Sequence, residues 1–359
     1  MKKYLYFLFF IMLSLLLAAC GGKPGTETSK EAQQAKQEQQ AIKLKMADVF
    51  PIGHTAHAEA QEFAKRIEEE TGGKVKIEYY PAEQLGKLKD MMNLCSQGIA
   101  DIAYVPPSFF VGNVPLNSVI ILPFYTTAVE GTEIFNRLYK VCPELTQEYL
   151  KYGVRPLQVN ATCQYDIGTV KKPIKSPDDL KGLRLKTSGG IFDRIALQYG
   201  VVSVTVSAPE IYESMQRGIV EGAIFSFPAA AGYRLEELEK YHTYGLRMGG
   251  YATVYCINEK VWQQLTEDVR KGLQRAAEKS AVAHGENWDR QTEKLVKDFE
   301  KKGVVINRIK PEDRAKWQEP LRGIEEIWVQ DMEKKGLPGR KVFEQFEKIS
   351  KEVASKTSG

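Results

Sequence analysis

The chain has 359 residues, in which 50 lysines and arginines face 46 acidic residues and hydrophobic side chains make up 43%. This length suffices for two domains, and the composition is that of an ordinary soluble globular protein. The charge balance is too even to indicate a nucleic-acid partner.

The N-terminus has the pattern of an export signal. Lys2 and Lys3 precede an apolar run from Tyr4 to Leu17, which is followed by small residues and Cys20. The run is short for a membrane span. Residues 21–41 are rich in Gly, Lys, Thr, Ser, Glu and Gln and contain almost nothing to bury. Such a composition predicts a flexible tether.

Two parts of the remaining chain show the same order of elements. In the first part, alternating strands and helices are predicted over 42–47, 55–70, 74–79, 88–96 and 99–105. In the second part, the same alternation is predicted over 183–187, 189–199, 201–206 and 207–218, followed by a strand that ends at Phe225. Short turns between such elements indicate a parallel sheet with right-handed crossovers. The repetition predicts two similar α/β lobes with a cleft between them.

A third feature is a long amphipathic stretch. From Leu265 to Phe299, apolar residues recur every three or four positions. A helix over 266–302 would be on the order of 55 Å long, which exceeds the width of one lobe of about 150 residues. The helix must therefore bridge both lobes or kink, and Gly285 is the expected kink. The elements expected after it are a strand over 304–309, a helix from 311 to about 335 and a short last helix after Gly339.

The polar residues indicate neither an enzyme nor a metal centre. The four cysteines after the N-terminal segment form neither a disulfide framework nor a zinc-binding pattern. Buried thiols are expected, although a bridge between Cys95 and Cys142 stays open. His54 and His57 lie three residues apart, but no further ligand completes a metal site. GxSxG, P-loop, HExxH and dinucleotide-binding motifs are absent, and no cofactor is expected.

An ordered set of short motifs resembles one family, the extracytoplasmic solute receptors of TRAP transporters of the DctP type. The likeness runs from about residue 42 to the C-terminal helices. The motifs are Ala82-Glu83-Gln84-Leu85-Gly86, Gln97-Gly98-Ile99-Ala100-Asp101, Leu122-Pro123-Phe124, Asp179-Leu180-Lys181-Gly182-Leu183-Arg184-Leu185-Lys186, Pro209-Glu210-Ile211-Tyr212 and Gln216-Arg217-Gly218-Ile219-Val220-Glu221-Gly222. In addition, Leu17-Ala18-Ala19-Cys20 resembles a bacterial lipobox, whose cysteine becomes the lipidated first residue.

The resemblance implies an α/β fold of the periplasmic-binding-protein type, with two lobes that are each a mostly parallel sheet flanked by helices and a long helix that bridges them. It implies a receptor that binds a small organic acid between the lobes and delivers it to the small and large membrane subunits of a TRAP permease. Lipidated Cys20 would hold the receptor in the periplasm or at the outer face of the cytoplasmic membrane. The segments are then a signal peptide (1–20), a tether (21–41), lobe I (42–161, completed by about 252–285) and lobe II (162–251, completed by about 286–355).

The positions that bind ligand in the family depart here from the usual pattern. The family arginine that clamps the ligand carboxylate corresponds to Lys186, and Arg184 lies two residues earlier, so both can share one strand face. Lysine lacks the planar fork that fits a carboxylate. Cys163 falls near a second basic position of acid-binding members, and Phe225 near a polar amide of sialic-acid-type members. These replacements favour an apolar-bodied monocarboxylate held by one cation.

Other candidates lie at strand ends and in loops near the expected hinge, where ligands of open α/β sheets bind. The candidate ligand-binding residues are Lys186, Arg184, Cys163, Phe225, Ser226, Tyr104, Val105, Pro106, Phe50, His54, Tyr125, Arg247 and Tyr251. Three alternatives to a TRAP receptor stay open. They are the receptor of an ABC importer, a component that presents ligand to a membrane sensor, and an enzyme that uses Cys163.

Overall fold

Two β-sheets form the framework of the protein. The computed structural model describes residues 41–357, so the predicted signal peptide, Cys20 and nearly all of the tether lie outside the described residues. The strands are β1 (Ile42–Ala47), β2 (Val75–Tyr80), β3 (Ile102–Tyr104), β4 (Val154–Ala161), β5 (Asp166–Thr169), β6 (Arg184–Thr187), β7 (Val202–Thr205), β8 (Gly222–Phe225), β9 (Tyr241–Tyr244), β10 (Ala252–Asn258) and β11 (Val305–Arg308).

Helices of very different lengths cover the sheets. They are α1 (Thr55–Glu70), α2 (Met91–Ser96), α3 (Ala128–Val141), α4 (Pro143–Leu150), α5 (Ile191–Gln198), α6 (Ile211–Gln216), α7 (Phe227–Gly232), α8 (Glu259–Gln264), α9 (Glu267–Lys301), α10 (Arg314–Gln318), α11 (Ile324–Glu333) and α12 (Gly339–Thr357). Short 3-10 segments cover Leu88–Asp90, Pro115–Ile121, Pro177–Leu180, Ala208–Glu210, Leu235–Glu237, Pro311–Asp313 and Glu319–Leu321. None of the helices in this part of the chain combines the length and apolar character needed to cross a membrane.

Each sheet combines parallel and antiparallel pairs. The first sheet has the order β2-β1-β3-β10-β4, and the second has the order β11-β9-β5-β8-β6-β7. β1 is parallel to β2 and β3, and β6 is parallel to β7 and β8, which confirms the parallel pairing predicted for both repeats. β10 and β5 run antiparallel to both of their neighbours. Two of the four pairs in the first sheet and three of the five pairs in the second are thus parallel, and the predicted fold of two α/β sheets flanked by helices is present.

Two short segments connect the sheets. Residues 162–165 link β4 to β5, and residues 245–251 link β9 to β10. The two segments bond to each other through the backbone. The Tyr165 N–H donates to the carbonyl of Gly249 (2.8 Å), and the Met248 N–H donates to the carbonyl of Tyr165 (3.0 Å). The crossing segments are thus the two short connections between the sheets, and α9 with the chain after it forms a third and longer one.

The helix α9 spans both sheets. It continues for 35 residues and packs on α1, α3 and β4 beside the first sheet and on α7 and β11 beside the second. The bridging helix predicted from the sequence is thus present, but no break occurs at Gly285. A Cβ atom at Gly285 would lie 2.8 Å from the Cα of Val129 in α3, so the glycine permits the two helices to approach closely.

The same contact is completed by a helix cap. The Asp289 carboxylate of α9 accepts hydrogen bonds from the N–H groups of Ala128 (2.7 Å) and Val129 (3.1 Å) at the start of α3. A carboxylate at this position satisfies donors that the helix itself leaves unpaired and complements the positive end of the helix dipole. The α9–α3 contact therefore depends both on glycine at position 285, which has no side chain, and on the Asp289 carboxylate.

The C-terminal region departs most from the expectation. The helix predicted from 311 to about 335 is interrupted between α10 and α11, where Pro320 removes a backbone donor and Gly323 takes a left-handed conformation (φ 80°). The last helix, α12, has 19 residues and is not short. It packs on α3 and on Pro115–Ile121 beside the first sheet, whereas the sequence-based division assigned this part of the chain to lobe II.

The close approach of α3 to Gly285 predicts that alanine at this position destabilises the protein, which is the reverse of the usual effect in a helix. Replacing glycine by alanine inside a helix normally adds up to about 1 kcal/mol of stability. Gly285→Ala should instead lower the free energy of unfolding by about 1–3 kcal/mol, because the new methyl group meets backbone atoms of α3. The exposed Val282→Ala in the same helix is the control and should change stability by less than about 0.5 kcal/mol. Urea unfolding of both variants tests this, and a stabilised Gly285→Ala would contradict the packing argument.

Candidate functional site

A narrow cavity is lined by residues of both sheets, of the crossing segments and of α7. Its free volume is about 30 Å³, which corresponds to roughly one or two water molecules. It lies at the carboxyl ends of β3, β6 and β8, where ligands of open α/β sheets bind. The lining residues are Val49, Phe50, His54, Leu88, Tyr104, Phe109, Thr162, Tyr165, Lys186, Ser188, Val206, Ser207, Ala208, Phe225, Ala229, Tyr233, Tyr251, Thr253 and Trp288.

Lys186 is the charged group of this cavity. It is 1% exposed, and its ammonium donates to the Ser188 hydroxyl at 3.0 Å. The same ammonium lies 4.4 Å from the ring centroid of Phe225, within the range of a cation–π contact. Within residues 41–357 no carboxylate forms an ion pair with it, and burial lowers the pKa of Lys186 from 10.5 to about 7. The cavity thus holds a cation that lacks a counter-ion.

Aromatic rings form most of the wall around this cation. Tyr165 stacks on Tyr251 with ring centroids 5.9 Å apart, and its edge meets Phe225 at 5.6 Å. On the opposite side, Phe50 lies 4.8 Å from Tyr104. Aromatic groups present large apolar faces in fixed orientations. The walls therefore suit a flat or apolar body rather than a group with many hydroxyls.

Several buried polar atoms of the lining lack a partner among the described residues. They are His54 Nε2, the Tyr233 hydroxyl and the Thr253 hydroxyl. His54 Nδ1 accepts a hydrogen bond from the Ala56 N–H (3.0 Å) at the start of α1, and burial lowers the pKa of His54 to about 4. The ring is therefore neutral with its proton on Nε2. Unpartnered buried donors are costly, and a bound molecule with acceptors would satisfy them.

Six of the candidate residues from the sequence come together here. They are Lys186, Phe225, Tyr104, Phe50, His54 and Tyr251. The other candidates lie elsewhere. Arg184 is exposed at the start of β6, where it pairs with Glu221 at 3.3 Å, because only the residues further along β6 enter the space between the sheets.

The remaining six candidates also lie outside the lining. Val105 and Pro106 are buried in the turn after β3, and Ser226 precedes α7 and does not line the cavity. Tyr125 packs against Gly131 and Gly250. Cys163 and Arg247 line a different pocket, because they point from the crossing segments toward α9 and β11.

Several other lining residues carry no signal in the sequence pattern. Tyr165 lies in a crossing segment, Tyr233 follows α7 and Trp288 lies inside α9, so tertiary packing alone brings them together. Ser188 is the exception. It belongs to residues 187–190 at the end of β6, a position from which ligand contact is expected in open α/β sheets.

The four cysteines after the N-terminal segment are buried as free thiols. Cys95, Cys142, Cys163 and Cys256 are all buried and unpaired, so the bridge between Cys95 and Cys142 is not formed. Burial raises the pKa of the Cys163 thiol to about 12, which opposes the thiolate that a nucleophile requires. In residues 41–357 no group of three or more His, Cys, Asp or Glu side chains is arranged to hold a metal ion.

The buried lysine makes the stability of the protein depend on pH in a defined direction. Because the pKa of Lys186 is about 7 in the folded state and has its ordinary value of 10.5 in the unfolded chain, the unfolded chain binds more protons between these values, and stability rises with pH there. Lys186→Met should therefore stabilise the unliganded protein most below pH 7. Above pH 7, the difference in free energy of unfolding between the variant and the wild-type protein should shrink by at most about 1.4 kcal/mol per pH unit. Denaturant titrations across this range test the effect, and a constant difference between variant and wild type would contradict it.

Known proteins are similar in sequence to this chain over most of its length. A protein of Albidiferax ferrireducens named "Solute-binding protein" is 26% identical over 297 residues, which are 79% of this chain and 85% of that protein. The structural likeness is closer than the sequence identity suggests. A TRAP solute-binding protein from Rhodoferax ferrireducens T118, in complex with copurified benzoate, superposes with a TM-score of 0.81 at 20% identity and covers 89% of this chain and 100% of its own.

A second solved structure is similar in the same way. It is a marine metagenome TRAP solute-binding protein specific for aromatic acid ligands, in complex with 3-hydroxybenzoate, with a TM-score of 0.79 at 22% identity, covering 87% of this chain and 99% of its own. At such identities the likeness establishes the two-lobed fold. The family model described as "Bacterial extracellular solute-binding protein, family 7" (DctP) matches residues 46–333. Since this match spans most of the chain, the protein belongs to family 7 of the bacterial extracellular solute-binding proteins.

Proposed function

We propose that this protein is the extracytoplasmic receptor of a TRAP transporter and that it binds a small monocarboxylate with an aromatic or otherwise apolar body. The observation that carries the proposal is the buried, unpaired ammonium of Lys186 within an aromatic wall. An isolated buried charge is expensive, and an anion bound beside it would offset that cost. A ligand with one carboxylate matches a site with one cation.

The polar groups suggest how the ligand is oriented. The carboxylate would lie beside the Lys186 ammonium and the Ser188 hydroxyl, which already bond to each other. The apolar body would lie against the rings of Phe225, Tyr165 and Tyr251. The similar proteins that hold benzoate and 3-hydroxybenzoate support this ligand class. His54 Nε2 and the Tyr233 hydroxyl would serve any polar substituent on the body.

The cavity is too small for such a ligand to enter while the sheets keep their present separation. With about 30 Å³ free, the protein must open before it can load. We infer that opening occurs by rotation about the crossing segments 162–165 and 245–251, as in other two-lobed receptors. Ligand would then favour a form that is closed around it but keeps the cavity wider than here, through contacts that the open form lacks. Release to the small and large subunits of a TRAP permease would require reopening.

The role of Lys186 is tested with a charged and a neutral ligand of the same shape. Calorimetric titration should show that wild-type protein binds benzoate in preference to benzamide. Lys186→Met should weaken benzoate by roughly ten- to a hundredfold, the range for a lost charge-assisted contact, and should leave the affinity for benzamide within about threefold. Arg184→Met, which removes an exposed and ion-paired charge, is the matched control and should leave benzoate binding unchanged.

The other outcomes are equally decisive. If Lys186→Met weakens benzamide as much as benzoate, the lysine supports the shape of the cavity and does not bind the carboxylate. If wild-type protein binds glucuronate more tightly than benzoate, the proposal of an apolar body is wrong although the carboxylate contact can stand. If no acid binds and the purified protein carries no small molecule, the receptor proposal itself fails.

We also propose that the mature protein is held at the membrane by lipid on Cys20, as the lipobox-like sequence suggests. Two or more acyl chains give stable attachment, whereas an unmodified polar tether gives none. When the full chain is expressed in a bacterium, wild-type protein should partition into detergent and Cys20→Ser should not. A Cys20→Ser variant that still partitions into detergent as completely as wild type would contradict lipid attachment at this residue.

A further inference from the structure

A second pocket lies on the other side of the crossing segments and has a different character. Its volume is about 470 Å³. It is bounded by the segment before α3, by the crossing segments, by α9 and by the region from β11 to α10. Three arginines, Arg247, Arg308 and Arg314, line it, together with the buried Gln164. We call it the arginine pocket.

Two of these arginines lack an acidic partner. Arg308 pairs with Glu300, but among residues 41–357 neither Arg247 nor Arg314 forms an ion pair, and the buried Nε of Arg314 has no hydrogen-bond partner. Burial and the positive charge of Arg314 together lower the pKa of Arg247. The charges of Glu130 and Asp166 act in the opposite direction. Two arginines that form no ion pair among residues 41–357 thus face one pocket.

A third donor is buried beside them. Gln164 is 6% exposed, and its side-chain oxygen accepts from the Gly249 N–H at 2.9 Å. Its Nε2 has no partner in the described chain. Because the oxygen is fixed by the backbone, the amide cannot turn to remove this unsatisfied donor. A buried amide that exposes donors to a pocket is normally paired with an acceptor.

The carboxylates of the pocket are already occupied by other donors. Asp166 accepts from the N–H groups of Gly245 (2.9 Å) and Leu246 (2.8 Å). Asp289 caps α3, and Glu293 accepts from the Tyr244 hydroxyl at 3.0 Å. These groups hold the frame of the pocket. The buried donors that remain without a partner among the described residues, Arg314 Nε and Gln164 Nε2, are complementary to the oxygens of an anion.

The backbone also holds Arg247 in place at some cost. Its φ of 59° lies in the left-handed region, which is uncommon for arginine. The loop before it is fixed from one side by Asp166 and from the other by the Gln318 side chain, which donates to the carbonyl of Leu246 at 2.6 Å. Strained residues that their surroundings hold in place occur often at binding sites. The fixed loop keeps Arg247 next to Arg314.

We propose that the arginine pocket is a second binding site, which holds a small inorganic oxyanion of the phosphate or sulfate type between Arg247 and Arg314, with Gln164 Nε2 as a further donor. Planar guanidinium groups present paired N–H donors that match such anions. The site is separate from the aromatic cavity and does not depend on its ligand. It takes a compact polar anion where the cavity takes an acid with an apolar body.

The test measures saturable binding of each anion. Wild-type protein is titrated with phosphate and, separately, with sulfate, while chloride keeps the ionic strength constant, and both calorimetric affinity and melting temperature are recorded. At least one of the two anions should bind with a saturable isotherm. Arg247→Gln and Arg314→Gln should each weaken it about tenfold or more. Arg194→Gln, which removes an exposed arginine paired with Asp331, and Lys186→Met should each change it less than twofold.

Three results would overturn the proposal. The first is the absence of a saturable isotherm for both anions. The second is binding by the Arg247→Gln and Arg314→Gln variants that is as tight as binding by the wild-type protein. The third is loss of binding in Lys186→Met alone, which would locate the anion in the aromatic cavity. A cooperative melting transition is required of each variant. If a variant fails to fold, crystals of the wild-type protein soaked in selenate replace it. An anomalous peak between Arg247 and Arg314 is expected, and its absence at a saturating concentration would overturn the proposal.

Discussion

The buried ammonium of Lys186 is the constraint on which the binding site depends. The fold places it at the end of β6, encloses it with the rings of Phe225 and Tyr165, and gives it one hydroxyl partner and no carboxylate among the described residues. A site with a counter-ion would be more stable without ligand and would bind an anion less well, because the anion would have to displace a partner. The protein instead leaves the charge unpaired, and that cost is relieved when an anion binds.

The architecture around this charge joins two sheets through one uninterrupted helix and two short crossing segments. Helix α9 packs on both sheets without interruption, and its closest contact with α3 needs the bare backbone of Gly285 and the cap formed by Asp289. The crossing segments are short and bond mainly to each other. The same segments separate two pockets of opposite character. Among the described residues, one is aromatic with Lys186 as its cation, and the other is polar with Arg247 and Arg314 outside any ion pair.

Local patterns predicted the elements whose burial is regular. β1 and α1 begin and end at the residues predicted, and α9 differs by one residue at each end, because amphipathic periodicity is strong there. Resemblance pointed to Lys186 and Phe225, which line the cavity. What could not be predicted depends on tertiary packing: Tyr165, Tyr233 and Trp288 come from three unrelated elements, and Arg247 lines another pocket. Pro320 and Gly323 mark the break between α10 and α11, whereas the sequence prediction ran one helix through both residues.

The most direct measurement is the titration of the Lys186 side chain itself. Protein with isotopically labelled lysine is observed by NMR as a function of pH, with and without benzoate, and Lys186→Met assigns the resonance. The account predicts a pKa near 7 without ligand and a clear upward shift when benzoate binds, because the carboxylate stabilises the ammonium. A pKa near 10.5 without ligand, or one that benzoate leaves unchanged while it binds, would contradict the claim that an unpaired buried cation defines the site.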